Sequence, residues 1–399
     1  IKKIFFFSYI ILFFKCIFNM LPGIGVFGTG SVVKIIVPIL KSKGFKVEAL
    51  WGRSLAEASQ TAQELGVPFY TTKIDDVLLR KDVDLIFIMC SPNLHAQISV
   101  KALGIGKHVL CDKPAGLCQN EALKMVHAAQ YYPSLISIVN HSLRFLPTFI
   151  RMKEEISKGS IGDLTLIDVQ VRMGSLIHEQ YDWLCDASMG GGTLALVGSH
   201  VIDLIKHLTN KKAQKVHAII KTFIQTTQQI NGIRHISSPD FCTFQMELEG
   251  GCTVTANLNN HLNGSFSQEI LVCGTKGHLL AKGCNLIRFC EKDEILYSDT
   301  EVFNFPTDSS LPIPYLKGLY KMIGALKEAF LPVEDKTGWV KGPVADAASF
   351  EDGLYVQAVI NALKKSSMSK KWIKVDIINE EPDPNPIISA AVRSSIISS

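Results

Sequence analysis

The sequence carries almost no excess of charge of either sign. Its 399 residues include 41 Lys and Arg against 37 Asp and Glu, which gives a formal net charge of +4. The basic residues are scattered and form no stripe with interleaved aromatic residues, so nucleic acid is not an expected partner. Hydrophobic residues make up 47% of the chain and charged residues 20%, which excludes a disordered chain and predicts globular domains.

The cysteines are numerous but isolated. The ten cysteines include no C-x-x-C pair and no Cys/His cluster with the spacing of a zinc site. Several lie in apolar runs that are predicted strands, for example Cys90 after residues 87–89. We therefore expect buried free thiols and no metal site.

The apolar run at the start of the sequence is too short to cross a bilayer. Residues 1–19 hold a short basic start and about a dozen apolar residues, whereas a spanning helix needs about 20. The run is similar to the apolar region of a signal peptide, but no small-x-small cleavage site follows it. We interpret residues 1–19 as upstream readthrough before a start at Met20, and expect a cytoplasmic protein with no membrane partner. The alternative is a signal-like segment and a secreted protein.

A glycine turn between a predicted strand and a predicted helix indicates a nucleotide site. Residues 22–27 are apolar, Gly28-Thr29-Gly30 follows, and apolar residues then recur with helical spacing from Val33. The first glycine permits a tight turn, the second leaves room for a pyrophosphate, and the helix N-terminus offers free N–H groups. This order predicts dinucleotide binding, although valine stands where the full G-x-G-x-x-G motif has its third glycine.

The end of the second predicted strand bears on which dinucleotide is bound. NAD sites usually place an acidic residue there to bind the ribose 2′-hydroxyl. After residues 46–51 this chain has Gly52, Arg53 and Ser54 instead. Because Arg53 and Ser54 could receive a 2′-phosphate, we predict NADP as the cofactor, with NAD as the alternative. Arg53 could equally be a solvated loop residue or stack on the adenine of either cofactor.

Strands and helices continue to alternate as far as residue 139. The predicted strands 83–90 and 108–111 are apolar throughout, which is typical of a parallel sheet covered on both faces. Polar residues follow both strands, at residues 91–95 and at Asp112-Lys113-Pro114. Ligands of such sheets bind outside the carboxyl ends of the strands, so both segments are candidates for the site.

Five segments spread along the chain match motifs of one protein family. Residues 102–114, ALGIGKHVLCDKP, are similar to the signature AL-x-x-GKHVL-x-EKP. The others are residues 91–95 (TPN-x-x-H), 143–147 (N-x-RF-x-P), 159–162 (G-x-IG) and 190–203 (GGG-x-L-x-D-x-G-x-H-x-x-D). Together they resemble the glucose–fructose oxidoreductase and inositol dehydrogenase (Gfo/Idh/MocA) family, over about residues 22–376. The resemblance is nearest to the animal branch, the glucose–fructose oxidoreductase domain-containing proteins.

The resemblance implies an α/β protein of two domains. It places an N-terminal Rossmann domain with a parallel sheet at residues 20–143 and a C-terminal α/β domain at 144–376, followed by a tail at 377–399. The second domain is expected to hold a large, mostly antiparallel open sheet. Predicted strands without intervening helices agree with this sheet: residues 164–171, 213–222, 240–248, 252–258 and 269–272. An open sheet of this kind commonly lies in a subunit interface, so we expect a homo-oligomer through the C-terminal sheet.

The resemblance also implies roles for single residues. Lys113 and His200 fall on the catalytic positions, and Lys113 is also expected to lie beside the nicotinamide. Arg144 and Asp203 are assigned to substrate binding. The cofactor-binding assignments are Gly28, Thr29, Gly30, Arg53, Ser54, Ser91, Pro92, Asn93, His95 and Lys113.

One position departs from the family pattern. The first aspartate of the D-x-x-x-H pair falls on Leu196, one helical turn before His200. A carboxylate there would orient the imidazole for acid–base chemistry, and leucine cannot. Two hypotheses stay open. The one we favour is an NADP-dependent oxidoreductase acting on a small sugar-like or other carbonyl or alcohol substrate. The other is a nucleotide-binding protein with little or no turnover, acting as a sensor, scaffold or extracellular-matrix-associated factor.

Overall fold

The chain folds around two β-sheets, and the first is the predicted parallel sheet. The computed structural model describes residues 21–231, 233–262, 264, 266–301, 303, 311–331 and 340–378. In spatial order the strands of the first sheet are β15 (Ala348–Ser349), β6 (Ser137–Val139), β5 (His108–Cys111), β4 (Leu85–Ile88), β1 (Ile24–Phe27), β2 (Val47–Trp51) and β3 (Phe69–Thr71). All neighbours run parallel except β15, which pairs antiparallel with β6. Strands β1, β4 and β5 are buried at every residue because two hydrophobic clusters cover the faces of the sheet.

Helices follow these strands as the sequence predicts. They are α1 (Ser31–Ser42), α2 (Leu55–Leu65), α3 (Ile74–Leu78), α4 (His95–Gly104) and α5 (Gln119–Tyr131). The predicted apolar face of α1 is confirmed, since Val33 and the residues spaced from it are buried. Strand β4 is shorter than the predicted 83–90, since residues 83–84 and 89–90 at its two ends are not in strand conformation.

Two later segments of the chain return to the first domain. Helix α8 (Ile313–Phe330) packs into the same hydrophobic cluster as α1, through Leu316, Leu319 and Met322. Strand β15 extends the sheet beyond β6. The sequence-based division at residues 143 and 144 did not anticipate this return, so the first domain is discontinuous in sequence.

The second sheet is the predicted large, mostly antiparallel sheet. In spatial order its strands are β14 (Glu294–Tyr297), β13 (Asn285–Phe289), β12 (Gly277–Lys282), β11 (Ser267–Gly274), β7 (Leu164–Arg172), β10 (Thr253–Asn259), β9 (Phe241–Leu248), β8 (Ala213–Lys221) and β16 (Ile373–Lys374). Only the pair β7 and β10 runs parallel among these described strands. Alternate residues of β7, such as Ile167 and Val169, are buried, as expected for a sheet with one covered face.

Helices cover one face of this sheet. Helices α6 (Pro147–Ser157), α7 (Ser199–Thr209) and α9 (Phe350–Ser369) contribute to its hydrophobic core. The segment Ala187–Thr209 is apolar and long enough to span a membrane, but 89% of an 18-residue apolar stretch within it is buried inside the protein, as in a core helix. The segment 1–19 and nearly all of the tail 377–399, both named in the sequence predictions, lie outside the described residues.

Candidate active site

The predicted glycine turn lies between β1 and the N-terminus of α1. Gly28 has a φ of +137°, and a Cβ atom there would lie 2.6 Å from the carbonyl oxygen of Met89, so only glycine fits. A Cβ atom at Gly30 would meet no atom within 4 Å. No side chain caps α1. The turn therefore leaves both open space and helix N–H groups to a pyrophosphate, which fits the predicted dinucleotide.

The end of β2 lies against the same turn. Gly52 is packed so closely that a Cβ atom would lie 2.7 Å from Cγ2 of Thr29, which closes the position where NAD sites carry an acidic side chain. Arg53 is exposed, and the Ser54 side chain makes no capping hydrogen bond at the start of α2. Glu57, which the sequence analysis missed, places Oε2 3.5 Å from Oγ1 of Thr29. The region thus offers a cation to a 2′-phosphate and a carboxylate to ribose hydroxyls.

The turn after β4 is held to the turn after β5 by a buried histidine. Ser91 Oγ donates to Asn93 Oδ1 (2.6 Å), and Pro92 is buried at the start of a short 3₁₀ turn. The ring nitrogens of His95 lie 2.9 Å from the carbonyl oxygens of Pro114 and Cys90. His95 is fully buried, so it ties the two turns together and has no further ring nitrogen for a cofactor.

The three consecutive glycines pack the second domain against the first. A Cβ atom at Gly190, whose φ is +93°, would lie 2.8 Å from Cγ of Pro92. Cβ atoms at Gly191 and Gly192 would lie 2.4 Å from the Leu184 carbonyl oxygen and 2.7 Å from Pro239. These glycines therefore permit close backbone packing, and they bring the segment that carries His200 up to the turn after β4.

Lys113 and His200 come from different domains and meet at this junction. Lys113 follows β5, and His200 is the second residue of α7. Burial lowers the pKa of Lys113, and the nearby Asp112 opposes that shift. Burial also holds the pKa of His200 well below its usual range, and the positive charge of Lys113 lowers it further. The site therefore pairs a half-buried lysine with an imidazole that is neutral at physiological pH.

Leu196 occupies the position of the missing carboxylate. It is 8% exposed and lies in a π-helical turn, Leu194–Gly198, where the sequence predicted an ordinary helical turn. Such π-helical turns occur frequently at functional sites. Leu196 and the neighbouring Ala195 belong to none of the hydrophobic clusters formed by the described residues. They are buried apolar side chains outside those clusters, on the turn that leads into His200.

Arg144 and Asp203 form a buried ion pair behind the histidine. Arg144 Nε donates to Asp203 Oδ2 (2.8 Å) and Nη2 donates to Oδ1 (2.5 Å). Nη2 also lies 3.0 Å from Asp352 Oδ2, and Lys206 donates to the other oxygen of Asp352. Substrate binding by Arg144 and Asp203 stays a prediction. Their exposed fractions of 6% and 1% favour a supporting role instead.

Comparison with known proteins agrees with this architecture. Residues 23–140 match the oxidoreductase family with an NAD-binding Rossmann fold, and residues 149–280 match the GFO/IDH/MocA C-terminal domain. The chain is 45% identical over 384 residues to the Homo sapiens glucose-fructose oxidoreductase domain-containing protein 2, covering 94% of this chain and 99% of that one. It is 46% identical over 389 residues to the Mus musculus domain-containing protein 1, covering 95% and 99%.

A solved structure shares the fold. Levoglucosan dehydrogenase in complex with NADH and levoglucosan aligns with a TM-score of 0.73 at 18% identity, over 89% of this chain and 99% of that one. The two-domain architecture of this chain thus has a counterpart among solved structures. The chain belongs to the Gfo/Idh/MocA oxidoreductase family, with an N-terminal NAD-binding Rossmann domain.

Proposed function

We propose that the protein is a nicotinamide-dependent oxidoreductase that interconverts a carbonyl and an alcohol on a small substrate, with NADP preferred. The observation that carries this proposal is the meeting of Lys113 and His200 at the carboxyl end of the first sheet. Titratable groups whose pKa values are shifted by burial and by a charged neighbour are typical of sites of acid–base chemistry.

Different residues of the chain would bind the cofactor and transfer the proton. Gly28, Gly30 and the N-terminus of α1 would hold the pyrophosphate. A nicotinamide dinucleotide, when bound, supplies a donor or acceptor of hydride. His200, being neutral, can accept the hydroxyl proton of an alcohol, while the Lys113 ammonium can donate a hydrogen bond to the reacting oxygen.

A second candidate function is nucleotide binding with little or no turnover. Leu196 favours it, because no carboxylate stands where the family pattern has one. Mass spectrometry of the cofactor retained by the purified protein, followed by an NADPH-oxidation screen over carbonyl compounds, separates the two. Retained cofactor without NADPH oxidation in the presence of any carbonyl compound would support the second candidate.

Exchange of a single exposed residue should change the choice of dinucleotide. We expect Arg53→Asp to weaken NADPH binding by about tenfold or more and NADH binding much less, because it sets a carboxylate against the 2′-phosphate. Fluorescence titration of each cofactor measures the two Kd values, with Arg80→Asp, on the same domain, as the control. Equal weakening of both cofactors in Arg53→Asp would contradict the preference for NADP.

We also propose a homo-oligomer formed through the second sheet. Leu271, Leu280, Ile287 and Ile295 are cross-strand neighbours on β11 to β14, and Ile295 is 69% exposed. An apolar row of this kind suits a subunit interface. Sedimentation velocity should show an oligomer for the wild type and a smaller species for the variant Leu280→Lys/Ile287→Lys. A wild-type monomer would contradict the proposal.

A further inference from the structure

Four side chains form a polar cluster around His200 that the hydride chemistry alone does not require. His141 follows β6, and its ring meets that of His200 with centroids 5.3 Å apart and planes at 86°. Tyr315 of α8 contacts His200 in the same manner at 4.9 Å. The Tyr315 hydroxyl donates to Oε1 of Gln268 on β11, at 3.2 Å. We call His141, His200, Tyr315 and Gln268 the imidazole cluster.

Several nitrogen atoms of the imidazole cluster have no hydrogen-bond partner among the described residues. They are both ring nitrogens of His141, Nδ1 of His200 and Nε2 of Gln268. All three side chains are at least nine-tenths buried, with exposed fractions of 1%, 4% and 3%. Unpaired buried polar atoms are rare and costly. Their concentration in one cluster points to a ligand that pairs with them.

The cluster offers several hydrogen-bond donors. Burial raises the pKa of Tyr315, so its hydroxyl keeps the proton that it donates, and the Gln268 amide is left with its NH₂ group facing away from that bond. Burial lowers the pKa of His141, as it does for His200, and each neutral imidazole has one N–H to donate. The ammonium of Lys113 adds positive charge to the same region, since it lowers the pKa of both histidines.

The nearest carboxylates do not satisfy these donors. Asp203 and Asp352 are held by Arg144 and Lys206 in the buried ion-pair network. Position 196, where a carboxylate would repel an anion, is leucine. A ligand that suits the cluster therefore has acceptor oxygens for these donors and an apolar part that can lie against Leu196.

We propose that His141, His200 and Gln268 bind a carboxylate, and that the substrate is an α-keto acid, or the matching α-hydroxy acid, with an apolar side chain. The carboxylate lies next to the reacting oxygen because His141 is in ring contact with His200. The apolar side chain of the substrate contacts Ala195 and Leu196 on the π-helical turn. This inference rests on the proposed function, since it names the substrate class of the same site.

Binding of oxamate, an unreactive analogue of pyruvate, tests the carboxylate site without turnover. Calorimetry on the full chain, with and without NADPH, should show oxamate binding and no binding of the neutral analogue pyruvamide. We expect His141→Phe and Gln268→Leu each to weaken oxamate binding by about tenfold or more, as for lost hydrogen bonds to a charged group. His217→Phe, on β8 beside Trp372, is the matched control and should leave it unchanged. NADPH affinity should stay the same in all three variants.

The two variants test the site independently. His141→Phe keeps an aromatic ring in contact with His200, and Gln268→Leu changes a residue of the second domain. The inference would be overturned if the wild type did not bind oxamate, or if both variants bound it as tightly as the wild type does. A second assay compares reduction of α-ketoisocaproate with that of acetyl isovaleryl, the diketone in which a methyl group replaces one carboxylate oxygen. We expect kcat/KM to favour the acid by about tenfold or more, and His141→Phe to abolish the preference.

The outcomes separate this inference from the proposed function. Reduction of the diketone as fast as the acid would overturn the α-keto acid assignment and leave the oxidoreductase proposal standing. Oxamate binding with the expected losses, but no reduction of either compound, would support the carboxylate site and overturn the α-keto acid as the substrate. The carbonyl screen would then decide the oxidoreductase proposal separately.

Discussion

Replacing His200 with alanine should lower kcat by about 100- to 10,000-fold, the range expected for loss of a positioned acid–base group. The imidazole is buried, neutral and close to Lys113, and the carboxylate of Asp203 on the same helix is held by Arg144. The NADPH Kd should not change, because the glycine turn lies on the first domain. Steady-state kinetics with the substrate found in the carbonyl screen, together with cofactor titration, measures both effects.

The control for this variant is His207→Asn on the same helix. His207 lies in the last turn of α7, near the buried ion pairs, and its replacement should leave kcat within about twofold.

The pH profile offers a separate check. Because burial lowers the pKa of His200, the imidazole stays neutral as pH falls through about 6.5, where an ordinary histidine gains its proton. Alcohol oxidation should therefore hold its rate through that range and fall only at lower pH. A His200→Ala enzyme with the wild-type rate would remove His200 from the mechanism.

Local patterns predicted the first sheet and the glycine turn well. Apolar strands buried on both faces need no knowledge of distant residues, and Gly28 is required by its own φ and by the approach of Met89. The meeting of Lys113 and His200 came from the family resemblance, since 86 intervening residues give no local signal of their contact. The lack of helices between the later strands agreed with a mostly antiparallel second sheet, and the structure confirms that sheet.

The rest of the site depends on tertiary packing that the sequence does not display. His141, Tyr315 and Gln268 come from three separate elements, and none belongs to a recognisable motif. Helix α8, which brings Tyr315 to the site, looks like any amphipathic helix of the second domain, yet it packs on the first. The motif singled out Arg144 but did not predict its burial or its ion pair with Asp203, because both depend on residues far along the chain.

Replacing Arg144 with methionine should destabilise the fold by about 3–5 kcal/mol, the cost of leaving buried charges without their partner. Arg144 binds Asp203 through two hydrogen bonds and also contacts Asp352. Without the guanidinium, two buried carboxylates face each other with only Lys206 beside them. Urea unfolding at neutral pH measures the loss. The control is Arg80→Met, which removes a similar two-bond contact to Asp82 at the surface and should cost less than about 1 kcal/mol.

The destabilisation should shrink as the pH is lowered. Burial works to raise the pKa of Asp352, but Arg144 and Lys206 hold it at about 2. A carboxyl group whose pKa is lowered on folding stabilises the protein above its unfolded pKa of about 3.9, and that contribution is lost as pH falls through the folded value. Wild type and Arg144→Met should therefore differ most above pH 4 and converge toward pH 2. The double variant Arg144→Met/Asp203→Leu should recover part of the loss, because it removes one orphaned carboxylate. The alternative is that Arg144 binds substrate directly. In that case Arg144→Met would raise KM, and the variant would unfold at the same urea concentration as the wild type. That result would reject the supporting role.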